Sequence, residues 1–224
     1  NIRIEELSLT RDFSTRSGHV YKSAASLVGW YKFEDEPIID SGETLVYDYA
    51  TNNNHGVYHG TVGFINFPNF RLTGGSISSG GLQANGEGYV ELPNIGTYGI
   101  QGSSFSIAFW ARPNVSISTK QIGFSIDTPD EDGSRLEFVY DPAAFTYGEL
   151  RVEIENPLDT ATQITIFSAP IPDAESLAML ELDGSHIVYT YNAITQEHSL
   201  YIDDAEIPPV SLNIQEFILE SIDI

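Results

Sequence analysis

Residues 105–113 read FSIAFWARP. In an extended chain Phe105, Ile107, Phe109 and Ala111 fall on one side and Ser106, Ala108, Trp110 and Arg112 on the other, the period-two signature of a strand with one buried side. Runs of the same kind recur on both flanks: LVGWYKF (27–33), GVYHGTV (56–62), GYVELP (88–93), QIGFSID (121–127), RLEFVYD (135–141), LRVEIEN (150–156), TQITIFS (162–168), HIVYTYN (186–192) and HSLYIDD (198–204). Turn clusters separate them, among them Asn85-Gly86-Glu87-Gly88, Asp132-Gly133-Ser134 and Asp183-Gly184-Ser185, whose glycines permit positive φ. Only 173–182 (DAESLAMLEL) carries helix-forming density, with Asp173 available as N-cap. The pattern predicts an all-β antiparallel sandwich or jelly roll with one short helix. Residues 1–26 mix charge, Ser and Thr without a sustained apolar period and read as a lead-in arm or linker, so the sandwich is expected over 27–224. The Gly/Ser-rich stretch GGSISSGG (74–81) reads as a loop.

A chain of 224 residues with 41% hydrophobic content can bury one core. It has 10 Lys and Arg against 32 Asp and Glu, a formal charge of −22. Such a surface is repelled by phosphate backbones and anionic headgroups, so nucleic acid is not an expected partner. The absence of cysteine removes disulfides, thiolate metal sites and a thiol nucleophile. No apolar run reaches the roughly 18–20 residues of a membrane helix, so no membrane insertion is expected. Position 1 is Asn and no signal peptide opens the chain, which reads as a segment of a longer protein.

Four segments, in order, resemble the laminin-G-like jelly rolls of the concanavalin A-like lectin/glucanase superfamily, relatives of the pentraxins. LVGWYKFEDE (27–36) with DYATNNNHG (48–56) is similar to that family's opening strand and its Asp- and Asn-rich loop. GGLQANGEGYVELPN (80–94), FSIAFWARP (105–113) and HIVYTYNAITQEHSLYIDDAEI (186–207) resemble its later strands and hairpin. The chain departs from the family pattern at Gly184, Ser185 and Asp204, which stand where a Trp, a His and a Gly are usual. The resemblance implies a β-sandwich holding rim loops, often with calcium, and an extracellular, cell-surface or virion-surface setting.

Calcium takes six to eight oxygen ligands from carboxylates, amides and carbonyls. DYATNNNHG offers Asp48, the amides of Asn52 to Asn54 and a turn at Gly56; the same residues also fit a plain turn in which Asp48 and the Asn side chains bond their own backbone. With the resemblance, the expected ligands are Asp48 and Asn54, joined by Glu36 or Asp223 from a neighbouring strand. A second acidic loop, DTPDEDGSR (127–135), makes Asp127, Asp130 and Asp132 a possible further metal site, although its spacing is not that of an EF-hand. For a sugar, loop-adjacent Tyr98, Tyr140 and Tyr147 are the candidate stacking rings, with core Tyr as the alternative for each.

The superfamily's hydrolytic Glu-x-Asp-x-x-Glu strand is absent, Glu181-Leu182-Asp183 lacking the second Glu. Of the five His, only His55 and His59 are spaced for a metal, and both read as exposed loop residues. The expected function is therefore a non-catalytic recognition or adhesion module of a larger surface or virion-associated protein, binding a glycan or glycoprotein through rim loops, one of them shaped by calcium. The alternatives are an assembly or decoration domain that contacts neighbouring protein subunits, favoured by the N-terminal arm, and, more remotely, a glycoside hydrolase relative.

Overall fold

The computed structural model describes residues 3–10, 15–16, 19–20, 27–31, 38–40, 43–50, 54–59, 62–72, 75–84, 89–93, 104–127, 135–156, 159–195 and 197–210. Within them the chain is an antiparallel β-sandwich with one short helix. The large, eight-stranded sheet runs in the order β18 (Ala205–Ile207), β17 (Glu197–Ile202), β16 (Ser185–Asn192), β11 (Phe105–Arg112), β1 (Arg3–Thr10), β9 (Gly75–Ala84) and β8 (Val62–Leu72), with β4 (Leu27–Tyr31) paired to β1. A second sheet orders β12 (Gln121–Asp127), β13 (Arg135–Asp141), β14 (Glu149–Asn156) and β15 (Asp159–Pro170), and a third orders β10 (Tyr89–Glu91), β7 (Gly56–His59), β6 (Glu43–Val46) and β5 (Ile38–Asp40). β2 (Thr15–Arg16) and β3 (His19–Val20) form a two-residue pairing.

FSIAFWAR is the hub. Phe105, Ile107, Phe109 and Ala111 are all buried, and Phe109 meets Phe138 edge-on at 5.2 Å and stacks on Phe124 at 6.0 Å, joining the large sheet to the second one. The expected open face of this strand is covered as well, since Ser106 and Ala108 are buried. They lie opposite Thr190 and Val188 of β16, which are buried too, so this face of the sheet is covered across both strands.

Two stretches differ from their sequence reading. Within the expected arm, Arg3–Thr10 is β1, inside the large sheet. Ile4 lies opposite Ala111, but Leu7 and Leu9 lie opposite Phe109 and Ile107, and the register shifts between Ile4 and Leu7. That irregularity absorbs an odd spacing of apolar residues which, in the bare sequence, breaks the alternation a strand is recognised by. Residues 75–81 of GGSISSGG are likewise part of β9, hydrogen-bonded to β8, and not a loop. Its glycines lack the side chains that period-two reading depends on.

The helix α1 (Ala174–Asp183) forms where its composition puts it. Asp173 caps it, accepting the Ser176 N–H at 2.7 Å, and Leu180 is its buried anchor. Gly184 ends it with φ 71°, and a Cβ there would come within 2.9 Å of the Ala111 carbonyl. Only glycine fits that turn. Asp203 and Asp204, both at positive φ, form the tight β17–β18 turn, and Asp203 Oδ1 accepts the His186 N–H at 2.8 Å.

Candidate functional site

The described parts of DYATNNNHG, residues 48–50 and 54–56, are held together, while Asn52 and Asn53 lie outside the described residues. Asp48 is fully buried; its Oδ1 accepts the N–H groups of Trp30 and Ala50, each at 2.8 Å, and its Oδ2 accepts that of Asn54 at 2.9 Å. Asn54 donates its side-chain amide to the Val28 carbonyl at 3.2 Å and accepts the Tyr31 hydroxyl at its own carbonyl. Tyr49 N–H bonds the Trp30 carbonyl at 2.7 Å, so the loop runs as an added pairing along β4. Three of the roughly four acceptor positions of the Asp48 carboxylate are thus filled by backbone donors. The loop fastens the third sheet to the large one.

That staple sets the neighbouring side chains. Val46, Asp48 and Ala50 are buried, so by alternation Tyr47 and Tyr49 point the other way, and Tyr47 is 39% exposed. Tyr47 packs edge-on against Tyr49 at 4.9 Å and over His55 at 4.8 Å. Along β7 the same face continues through Val57 to His59, while Gly56 is buried and Tyr58 packs toward the core. On β10, Tyr89 lies opposite His59 and Glu91 opposite Val57, which puts both on this face. Tyr89 is 59% exposed, its ring stacked on that of His59 at 4.8 Å and 20°, and His59 Nε2 sits 2.7 Å from Glu91 Oε2. The outcome is a row, Tyr47, His55, Val57, then His59 with Tyr89 and Glu91, on the outer face of the third sheet. Open aromatic faces beside a carboxylate can stack the C–H surface of a sugar and accept its hydroxyls.

The expected site residues are scattered. Tyr140 is not a surface ring: it is buried, on the same face of β13 as Leu136 and Phe138, with Gly148 folded against it, and burial raises its hydroxyl pKa. The alternation in RLEFVYD already turns it inward. Tyr147 packs against the core, and its neighbour Phe145 is the exposed ring of that turn. His59 is a strand residue of β7. Asp127 ends β12 opposite Arg135. Glu36, Tyr98, Asp130, Asp132 and Asp223 lie outside the described residues. Among the described residues, no three His, Asp or Glu gather as they would around a metal ion. No helix among them is long and apolar enough to cross a membrane.

A carboxylate pair does exist, across strands. Glu137 and Glu153 are cross-strand partners on β13 and β14, both buried, and Lys120 Nζ lies 3.3 Å from one and 2.5 Å from the other. Arg151 continues the network, contacting Glu153, Glu149 at 2.8 Å and Asp141 at 2.9 Å, and Ser168 donates to Glu149 at 2.6 Å. A motif search along one strand passes over this pair, because its members are sixteen residues apart and meet only through the register of the hairpin.

His198 is a further titratable group, half-buried among aromatic rings. Its ring packs on Tyr191 at 4.8 Å and its Nδ1 faces the Tyr189 hydroxyl at 2.5 Å. Burial lowers its pKa to about 4 and raises those of both tyrosines. The unfolded imidazole takes its proton near pH 6.5, the folded one only near 4, so stability is full above 6.5 and falls as the pH drops between the two. The loss is about 2–3 kcal/mol for a ring that keeps some exposure. Acid also relieves repulsion among the 32 carboxylates, so the comparison is with His198→Asn, which keeps an acceptor and removes the titration. Urea melts from pH 7 to 4 should show the wild type losing more stability than the variant; parallel curves would refute it.

Compared with protein-family models, with curated proteins and with solved structures, the chain has no significant match.

Proposed function

We propose that this chain is a non-catalytic recognition module, a part of a larger surface or virion-associated protein, that binds a saccharide on a glycan or glycoprotein through the outer face of its third sheet. One observation carries the reading: Tyr89, more than half exposed, is held flat by His59 beside the open carboxylate of Glu91, with Tyr47 at the far end of the same row. A rigid sheet keeps these rings placed before the ligand arrives, which spares the ordering cost of loop binding. The buried, Lys120-bridged Glu137 and Glu153 offer a substrate no open groove, which supports a binding role over hydrolysis. The assembly reading is weakened, since Arg3–Thr10 of the arm that favoured it is a strand of the large sheet. Calcium belongs to this proposal only through ligands outside the described residues, Glu36 and Asp223 among them, because Asp48 already serves three N–H donors.

Glycan-array binding of the wild type, Tyr89→Ala and Tyr47→Ala tests it. Loss of a stacking ring should weaken the bound glycan about tenfold, or roughly 1.4 kcal/mol, with the melting midpoint unchanged to within a few degrees. Binding that survives both substitutions would move the site elsewhere.

A further inference from the structure

The four strands of the third sheet, Ile38–Asp40, Glu43–Val46, Gly56–His59 and Tyr89–Glu91, contain no Lys or Arg, while Glu91 supplies an exposed carboxylate. The whole chain adds a charge of −22. Sulfated, sialylated or uronic sugars are recognised through guanidinium or ammonium groups, which these strands lack, and the surrounding field repels them. Neutral sugars lose nothing to that field. Glu91 is well placed for them: Oε2 is engaged by His59 and the other oxygen, without a partner among the described residues, can accept from a sugar hydroxyl. From His55 to His59 the row spans four residues of strand, roughly 13 Å, so the rings at its two ends are too far apart for one sugar unit.

We infer that the ligand is a neutral oligosaccharide lying along β7, one unit stacked on Tyr89 with its hydroxyls on Glu91 and a later unit reaching Tyr47. This rests on the saccharide reading above and adds the charge class and the minimum length. The face has the chemistry for it: two flat aromatic ends for the apolar faces of pyranose rings, the Val57 side chain between them, and an acceptor at one end.

Titration calorimetry of the whole chain tests it, with neutral tetrasaccharides cut from β-glucan, mannan, xylan and chitin and anionic ones cut from polygalacturonate and heparin. At least one neutral tetrasaccharide should bind about tenfold more tightly than its disaccharide, every anionic one at least a hundredfold more weakly, and Tyr89→Ala should lose about tenfold on the neutral ligand. Glu91→Lys, on an exposed side chain, should lose neutral binding and admit the anionic sugars. Tyr89-dependent binding confined to the anionic panel would leave the saccharide reading standing and overturn the inference. Equal affinity for disaccharide and tetrasaccharide would overturn the length it assigns. Failure of both panels to bind would remove the inference and the saccharide reading together.

Discussion

Arg151→Ala should cost about 3–5 kcal/mol, the range found when one partner of a buried ion pair is removed. Arg151 is the only cation contacting Asp141 and Glu149 in the described network, and it shares Glu153 with Lys120. The network counts four carboxylates against two cations, so it is already short of positive charge. Without the guanidinium, the four carboxylates of Glu137, Asp141, Glu149 and Glu153 are left with a single ammonium, that of Lys120, which contacts only Glu137 and Glu153. For a chain of this size that loss lowers the melting midpoint by roughly 10 °C. Two controls separate charge from packing. Arg151→Lys keeps the charge but not the fork that reaches three carboxylates, and should fall between. Arg151→Met, which keeps most of the apolar stem and removes the charge, should lose nearly as much as Arg151→Ala. An Arg151→Ala chain that melts within 1 °C of the wild type, about what a surface pair gives, would show the network contributes little.

The sandwich was legible in the sequence because its strands alternate, and Phe105, Ile107 and Phe109 lie where that period puts them. Helix α1 was legible for a local reason, a capping Asp173 followed by good helix formers. What escaped depends on register. β1 hides behind an odd spacing that only pairing with β11 makes sense of, and β9 hides in glycines. The aromatic row was out of reach in the same way: Tyr89 and Glu91 were visible as residues, but their neighbours His59 and Val57, some thirty positions earlier, are assigned by the pairing of β7 with β10. Tyr140 is a candidate by its nearness to a loop, and the alternative given with it, a core Tyr, is the one that matches its burial and the alternation of RLEFVYD. Asp48 was singled out by its company of Asn residues, but the chain offered no sign that one of its donors, the Trp30 N–H, would arrive from eighteen residues away.

Asp48→Ala should be as damaging as any single substitution in the chain, and the damage should not depend on calcium. The carboxylate is fully buried and satisfies three backbone N–H groups, on Trp30, Ala50 and Asn54. Hydrogen bonds to a charged group are worth about 1.5–3 kcal/mol each, and donors left unpaired in a buried site keep their desolvation cost, so a total of about 3–5 kcal/mol is expected after local relaxation. Asp48→Asn separates the contributions. Its amide oxygen can still serve Trp30 and Ala50, while its nitrogen meets the Asn54 N–H as donor against donor, so it should lose about half as much. The same staple orients Tyr47 and the β6 to β7 connection, so Asp48→Ala should also weaken saccharide binding at Tyr47, while leaving the Tyr89 end of the row in place. Melts of wild type and both variants, in excess chelator and in calcium, decide what holds the loop. The donors are the protein's own N–H groups, so the midpoint lost by each variant should be the same in both media. A loss that appears only with calcium present would make the cation, and not the hydrogen-bonded backbone, the thing that Asp48 holds in place.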